Sequence, residues 1–191
     1  MSKPRILVTR HIFPEITDYL VQHFALESNP DDVLWSQAEL AQRLADKDGV
    51  FITGSHRIDA ALLAACPRLK IAANMAVGYN NFDVDAMTAA GVQGTNTPDV
   101  LTETTADFGF ALLMATARRM TESEHYLRAG LWNSWRYDMF AGAEVHGSTL
   151  GILGMGRIGQ AVADRARAFR MDIHYSNRHR LPAALENGAH F

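Results

Sequence analysis

The segment Gly154-Met155-Gly156-Arg157-Ile158-Gly159 constrains this chain more than any other. The spacing G-x-G-x-x-G alone arises easily by chance. Here it follows an apolar strand-like run, Thr149 to Leu153, and opens a helical stretch with Ile158, Val162, Ala166 and Phe169 on one face. Strand, glycine turn and helix in that order can cradle a pyrophosphate. Gly154 permits a tight turn, Gly156 leaves room for phosphate against the backbone, and Gly159 lets the helix approach the strand. Met155, Arg157 and Ile158 complete the turn, and the helix N-terminus offers unpaired N–H groups and a positive dipole end to an anion. The plainer alternative is a glycine turn without a ligand.

DIHYSN (Asp172 to Asn177) is the next strand-like run, and its end reports which dinucleotide is expected. NAD sites place Asp or Glu about 20 residues beyond the glycine turn, on the ribose 2′-hydroxyl. This chain has Ser176-Asn177-Arg178-His179-Arg180 there. No carboxylate repels a 2′-phosphate; Ser176 and Asn177 can hydrogen-bond it, and Arg178 or Arg180 can pair with it. NADP(H) is therefore expected over NAD(H), which is still admitted. The competing reading is a solvated basic loop.

Upstream, short apolar runs alternate with helical stretches. Strands are expected at Pro4 to Thr9, Gly49 to Gly54, Lys70 to Val77 and Val92 to Thr97. Helices are expected at Ile16 to Phe24, Trp35 to Lys47, Ile58 to Ala65 (started by Asp59 or a neighbour) and Asp83 to Ala90, the last closed by Gly91. Such alternation argues for a parallel α/β sheet with helices on both faces. A long helix is expected from Leu101 to about Met120, capped by Thr102 or Asp99, with close packing at Gly109. Glu122 to Ala129 reads as a polar helix, and LWNSWRYDMFAG as irregular and aromatic. Pro182 to Glu186 opens another helix, and Ala189 to Phe191 reads as the start of one more strand.

Composition narrows the function classes. The chain has 191 residues, 48% hydrophobic and 20% charged, enough to bury a core and too apolar for disorder. A net charge of −3 argues against wholesale binding of nucleic acid or anionic membrane. Its single cysteine, Cys66, can form neither an internal disulfide nor a Cys-rich zinc site, and no metal is expected. The first 20 residues lack an apolar signal core, and the longest apolar run, Phe108 to Ala117, is too short to span a bilayer. A soluble, cytoplasmic protein is expected.

Three segments carry a resemblance: NMAVGYNNFDVDAMTAAGV, TNTPDVLTETTADFGFALLMATARR and STLGILGMGRIGQAVADRARAF. The chain resembles the D-isomer-specific 2-hydroxyacid dehydrogenases, most of all their glyoxylate/hydroxypyruvate reductase (D-glycerate dehydrogenase) branch, over essentially its whole length. The resemblance implies a flavodoxin-like substrate domain, residues 1–99, then a Rossmann coenzyme domain, residues 100–191, with the active site in the cleft. It implies that the backbone amides of Ala76, Val77 and Gly78 hold the substrate carboxylate; a strand end running into glycine can present N–H groups to an anion. It places Ser55 on the other substrate-side loop and Thr104 near the cofactor phosphates. It implies a homodimer through an arm, residues 121–147, anchored by Trp132, Trp135, Tyr137 and Phe140. Some relatives carry a tryptophan near Met139 that shapes the substrate pocket, and Met139 departs from that pattern.

The implied chemistry is hydride transfer between a nicotinamide and C2 of a small 2-oxo or 2-hydroxy acid. It needs a histidine acid/base, an acidic partner for it and an arginine on the substrate. None of the eight histidines stands in the family's Pro-His-Ile-Gly context. His56 is the one tempting substitute, with an exposed loop histidine as the plainer reading. Arg118 and Arg119 end a helix, where cations suit the dipole. The Rossmann domain is expected to be incomplete, with an unpaired apolar sheet edge, and the chain to be a fragment inactive by itself and prone to aggregate. The alternative from another class is a non-catalytic dinucleotide-sensing or dimerisation fragment, corepressor-like in use.

Overall fold

In a computed structural model that describes residues 2–191, the chain forms two compact units, the first ending at Val100 and the second running Leu101–Phe191. Strands β1 (Arg5–Val8), β2 (Ala25–Glu27), β3 (Gly49–Ile52), β4 (Ile71–Asn74) and β5 (Gln93–Thr95) build the sheet of the first unit. Their order is β2-β1-β3-β4-β5 and every pair is parallel, the flavodoxin-like arrangement. Helices α1 (Pro14–His23), α2 (Gln37–Leu44), α3 (Ala60–Ala65) and α4 (Val84–Ala90) are the crossovers.

Local chemistry sets most of these boundaries. Ser36 and Glu39 form a reciprocal capping box at the start of α2. Asp59 accepts from the Leu62 amide to start α3, and Asp83 from Ala86 to start α4. Gly91 closes α4 with φ of 69°. Leu40 and Leu44 of α2, Leu62 and Leu63 of α3 and Met87 of α4 pack on Leu7, Val50, Ile52 and Ala72 of the sheet. By contrast, α1 has no buried residue. β4 is shorter than expected, because the chain leaves the ladder after Asn74 and forms a loop through residues 76–78.

The second unit contains α5 (Thr102–Ala117), α6 (Met120–Arg128), β6 (Thr149–Leu153), α7 (Arg157–Ala168), β7 (Asp172–Ser176) and α8 (Ala183–Glu186). β6 and β7 pair in parallel, from Thr149 against Asp172 to Leu153 against Ser176. His190 bridges His174 on the far side of β7, where the Tyr175 amide donates to the His190 carbonyl at 2.8 Å. This is the strand succession of the first mononucleotide half of a Rossmann fold. Its core joins Phe110 of α5, Ala163 and Ala166 of α7, and Ile173 and Tyr175 of β7. The alternate residues of the sheet face outward, and Leu153 is 91% exposed.

Three expectations for this unit are corrected. Neither Thr102 nor Asp99 caps α5; Asp99 takes a left-handed conformation (φ 68°) and Leu101 occupies the cap without a side-chain hydrogen bond. The long helix stops at Ala117, because Arg119 is also left-handed (φ 52°) and turns the chain into α6. The buried residues of α7 are Gly159, Ala161, Ala163 and Ala166; Ala166, Val162 and Phe169 of the expected face do pack in the core, the last two half-buried, but Ile158 does not join it and small residues make the closest packing. Gly109 faces Val162, but a Cβ there would lie 4.0 Å from Cγ2, an ordinary contact. No helix among the described residues is long and apolar enough to cross a membrane.

Candidate functional site

The glycine turn joins β6 to α7. Gly154 has φ of 99°, a conformation that an L side chain rarely adopts. A Cβ on Gly159 would lie 2.3 Å from the Gly154 carbonyl oxygen, so α7 can start here only with glycine. Gly156 is the N-cap of α7; nothing lies within 4 Å of a Cβ built there, and no side chain caps the helix. Arg157 and Ile158 form the first turn, while Met155 is fully buried beneath it. Thr104 is exposed on the first turn of α5.

The end of β7 is tied to this turn. The Gly154 amide donates to the Ser176 carbonyl at 2.9 Å, and the Met155 amide donates to Asn177 Oδ1 at 2.7 Å. Asn177 therefore shapes the turn itself. The two arginines differ. Arg180 forms a two-pronged ion pair with Glu186, 2.8 Å from Nε to Oε1 and 3.0 Å from Nη2 to Oε2. Glu186 is buried and also accepts from the Tyr175 hydroxyl at 2.6 Å, and that hydroxyl accepts from the Leu181 amide. Arg180, then Tyr175, hold the Glu186 carboxyl down at about 2, against burial. Arg180 thus braces the 177–182 loop, while Arg178 is exposed and outside that cluster. Nothing in the sequence signalled Glu186, which lies on a helix of four residues.

In the first unit, the loop after β4 is tied back by three successive carbonyls. Ala76 O accepts from the Thr97 amide at 3.0 Å, Val77 O from Asn96 Nδ2 at 2.8 Å, and Gly78 O from Asn74 Nδ2 at 2.9 Å. No protein oxygen among the described residues accepts from the Ala76, Val77 or Gly78 amide. Successive unpaired amides of this kind can receive an anion. Ser55 is exposed after β3, its Oγ 2.6 Å from Thr53 Oγ1 and 3.3 Å from Arg10 Nη1. Arg10 also grips Asp32 with two bonds of 2.7 Å, and this pairing holds the Asp32 carboxyl far below the ordinary range. Sequence reasoning missed Arg10, Asn74, Asn81 and Asn96.

His56 is neither an exposed loop residue nor a poised base. It is buried, its Nε2 lies 3.1 Å from the Trp35 carbonyl, and Nδ1 has no hydrogen-bond partner among the described residues. Burial pushes its pKa down. No group of three or more His, Cys, Asp or Glu able to hold a metal occurs among the described residues.

After α6 the aromatic segment leaves an open groove of about 640 Å³, lined in part by Met120, Leu127, Trp132, Trp135, Met139 and Phe140. Phe140 packs edge-on against Tyr126 with ring centroids 5.2 Å apart, under the Arg119 guanidinium. Trp132, Trp135 and Tyr137 are 53%, 76% and 87% exposed, so the segment is not a closed aromatic cluster.

Comparison with known proteins agrees with this architecture. Residues 6–177 match the family model for the catalytic domain of D-isomer specific 2-hydroxyacid dehydrogenases. A glyoxylate reductase of Thermococcus kodakarensis is 45% identical over 99% of this chain and 58% of its own length. One from Korarchaeum cryptofilum is 48% identical over 91% of this chain and 52% of its own length. A crystal structure of an NADPH-dependent glyoxylate/hydroxypyruvate reductase from Sinorhizobium meliloti, in complex with NADP and malonate, superposes with a TM-score of 0.78 at 35% identity, covering 95% of this chain and 56% of that one. The chain thus spans little more than half the length of these relatives. With a flavodoxin-like parallel sheet, the first half of a Rossmann fold and a family match over most of its residues, it belongs to the D-isomer-specific 2-hydroxyacid dehydrogenases.

Proposed function

We propose that these 191 residues supply the substrate-side unit and the pyrophosphate-binding half of an NADP(H)-dependent reductase of glyoxylate or hydroxypyruvate. The observation that carries this reading is the 45% identity to a glyoxylate reductase over 99% of the chain. The glycine turn fits a dinucleotide: Gly156 opens onto free space, and the first turn of α7 has no side-chain cap. Gly154, Met155, Gly156, Arg157, Ile158 and Gly159 form the pyrophosphate cradle, with Thr104 nearby in sequence role. Ser176, Asn177 and Arg178 form the ribose end, and Arg180 shapes it from behind. The nicotinamide, when bound, supplies the hydride. Ala76, Val77 and Gly78 donate their amides to the substrate carboxylate, and Ser55 adds a hydroxyl.

Titration with NADPH and NADH tests the cofactor assignment. NADPH is expected to bind more tightly; equal or tighter NADH binding overturns the assignment. Arg178→Ala is expected to weaken NADPH about tenfold and leave NADH unchanged, since one charge-assisted contact contributes about 1.5–3 kcal/mol. Arg180→Ala is expected to affect both cofactors alike, through the loop that Glu186 holds.

The arm is proposed as a homodimer surface. Trp135→Ala or Tyr137→Ala is expected to weaken dimerisation on the order of 30-fold, the scale of losing one aromatic anchor worth about 2 kcal/mol. Sedimentation that finds only monomer at all concentrations removes this assignment. The same exposed aromatics favour a second reading, a non-catalytic dimerisation or dinucleotide-sensing fragment. Dimers that bind NADPH, in a full-length protein that turns over no 2-oxo acid, would support that reading over the first.

A further inference from the structure

Beyond Ile52 and Asn74 the parallel ladder of the first unit ends, and the two loops that follow rejoin only at an isolated bridge, Ile58 against Phe82, past Ser55 and residues 76–78. Between the ladder and that bridge, one carboxamide spans the two loops. Asn81 is 4% exposed, and its Nδ2 donates to the Thr53 carbonyl at 3.3 Å and to the His56 carbonyl at 3.2 Å. Those carbonyls bracket Ser55. On its other side, Asn81 Oδ1 accepts from Asn74 Nδ2 at 3.2 Å, and the same Asn74 nitrogen donates to the Gly78 carbonyl at 2.9 Å. A buried carboxamide is costly unless its bonds are made, so this position demands the amide rather than merely its volume.

We propose that Asn81 is a positioning residue for the substrate carboxylate: it sets the separation between Ser55 and the amides of Ala76, Val77 and Gly78 without touching the ligand. This rests on the assignment of those groups to the carboxylate under the proposed function. Two donors on separate loops recognise one anion only if their separation is fixed beforehand; otherwise binding must also order the loops. Placement errors of an ångström in such sites cost up to about 100-fold.

The test is an amide NMR titration of the 191-residue chain with oxalate, a small non-reacting dicarboxylate. In the unaltered chain, the Ser55 and Ala76–Gly78 amides should shift together and saturate. Asn81→Ala should weaken oxalate about tenfold and uncouple the two sets of shifts. Asn81→Ser, which keeps one short donor, should fall between. Val92→Ala, a core truncation just ahead of β5 that leaves every hydrogen bond of Asn81 in place, should lower Tm and leave oxalate affinity unchanged. If the Asn81 variants fold and bind oxalate like the parent, the proposal fails while the carboxylate assignment stands. If both variants lose the fold, or Val92→Ala loses affinity equally, Asn81 is a stability residue and the proposal is overturned. If the unaltered chain shows no saturable shift at Ala76–Gly78, the carboxylate assignment itself falls, and this inference with it.

Discussion

Gly159→Ala is expected to eliminate measurable NADPH binding and to lower the stability of the second unit by about 1–3 kcal/mol, the usual cost of overpacking. Two effects oppose each other, and their sizes decide the outcome. Alanine is favoured over glycine in a helix by about 1 kcal/mol, and Gly159 lies inside α7, so helix propensity alone predicts a gain. The new methyl, however, would stand 2.3 Å from the Gly154 oxygen and 3.2 Å from its carbonyl carbon. Both are backbone atoms of a residue at φ 99°, with no rotamer to yield. The helix must then move away from the turn, which displaces the first-turn amides that face the phosphates. Gly156→Ala separates fold from binding: nothing lies near its Cβ, so Tm should hold while the methyl occupies the anion's space. Thermal melts and a NADPH titration on both variants check this. A Gly159→Ala protein with parental Tm and affinity would falsify the steric account.

The second large effect concerns catalysis. The 191 residues alone are expected to reduce neither glyoxylate nor hydroxypyruvate above background with NADPH. Reduction of a 2-oxo acid needs a proton donor at the carbonyl oxygen, and general acid catalysis contributes about 10²–10⁴-fold. His56 is the histidine next to the proposed carboxylate loops, and it points into the core toward the Trp35 carbonyl, where burial disfavours its charged form. His174 and His190 flank Asp172, and Asp172 stands at the first residue of β7, the strand end opposite the glycine turn. Arg10, the cation nearest Ser55, is neutralised by Asp32. A coupled assay following NADPH absorbance with a verified 21.1 kDa species decides the matter; sustained turnover overturns the expectation.

What could be read from the sequence was what is encoded locally. The glycine turn, the Asp59 cap and the Gly91 stop depend on residues within a few positions of one another, and the structure places them as the spacing implied. The family resemblance extended this to the whole flavodoxin-like sheet and the start of the Rossmann half. Other features depend on partners distant in sequence. Asn81 matters because the β3 and β4 loops converge on it, and no pattern in NMAVGYNN states that. Arg180 read as a phosphate ligand because its partner, Glu186, is committed to it only by the fold of the 177–186 segment. β2 went unseen because three residues, Ala-Leu-Glu, carry no alternation, and pairing with β1 alone makes them a strand. The α5 cap failed for a related reason: a left-handed Asp99 overrode a weak side-chain preference.

Because every ladder in both sheets is parallel, no strand among the described residues meets its partner through a hairpin. In the first unit, Arg5 must find Ala25, Ile71 must find Gln93, and Gly49 must find Ile71, each after one crossover. Ile6 must find Gly49 after two, across the middle of the sheet. Doubling a loop adds only about 0.6 kcal/mol of closure entropy, so native stability barely registers this. Folding speed does, since non-local pairings are reached slowly. The β1–β3 seam is the longest closure, and Arg10 meets Ser55 across it. The contact between Arg10 and Ser55 therefore exists only once the sheet has closed at its centre.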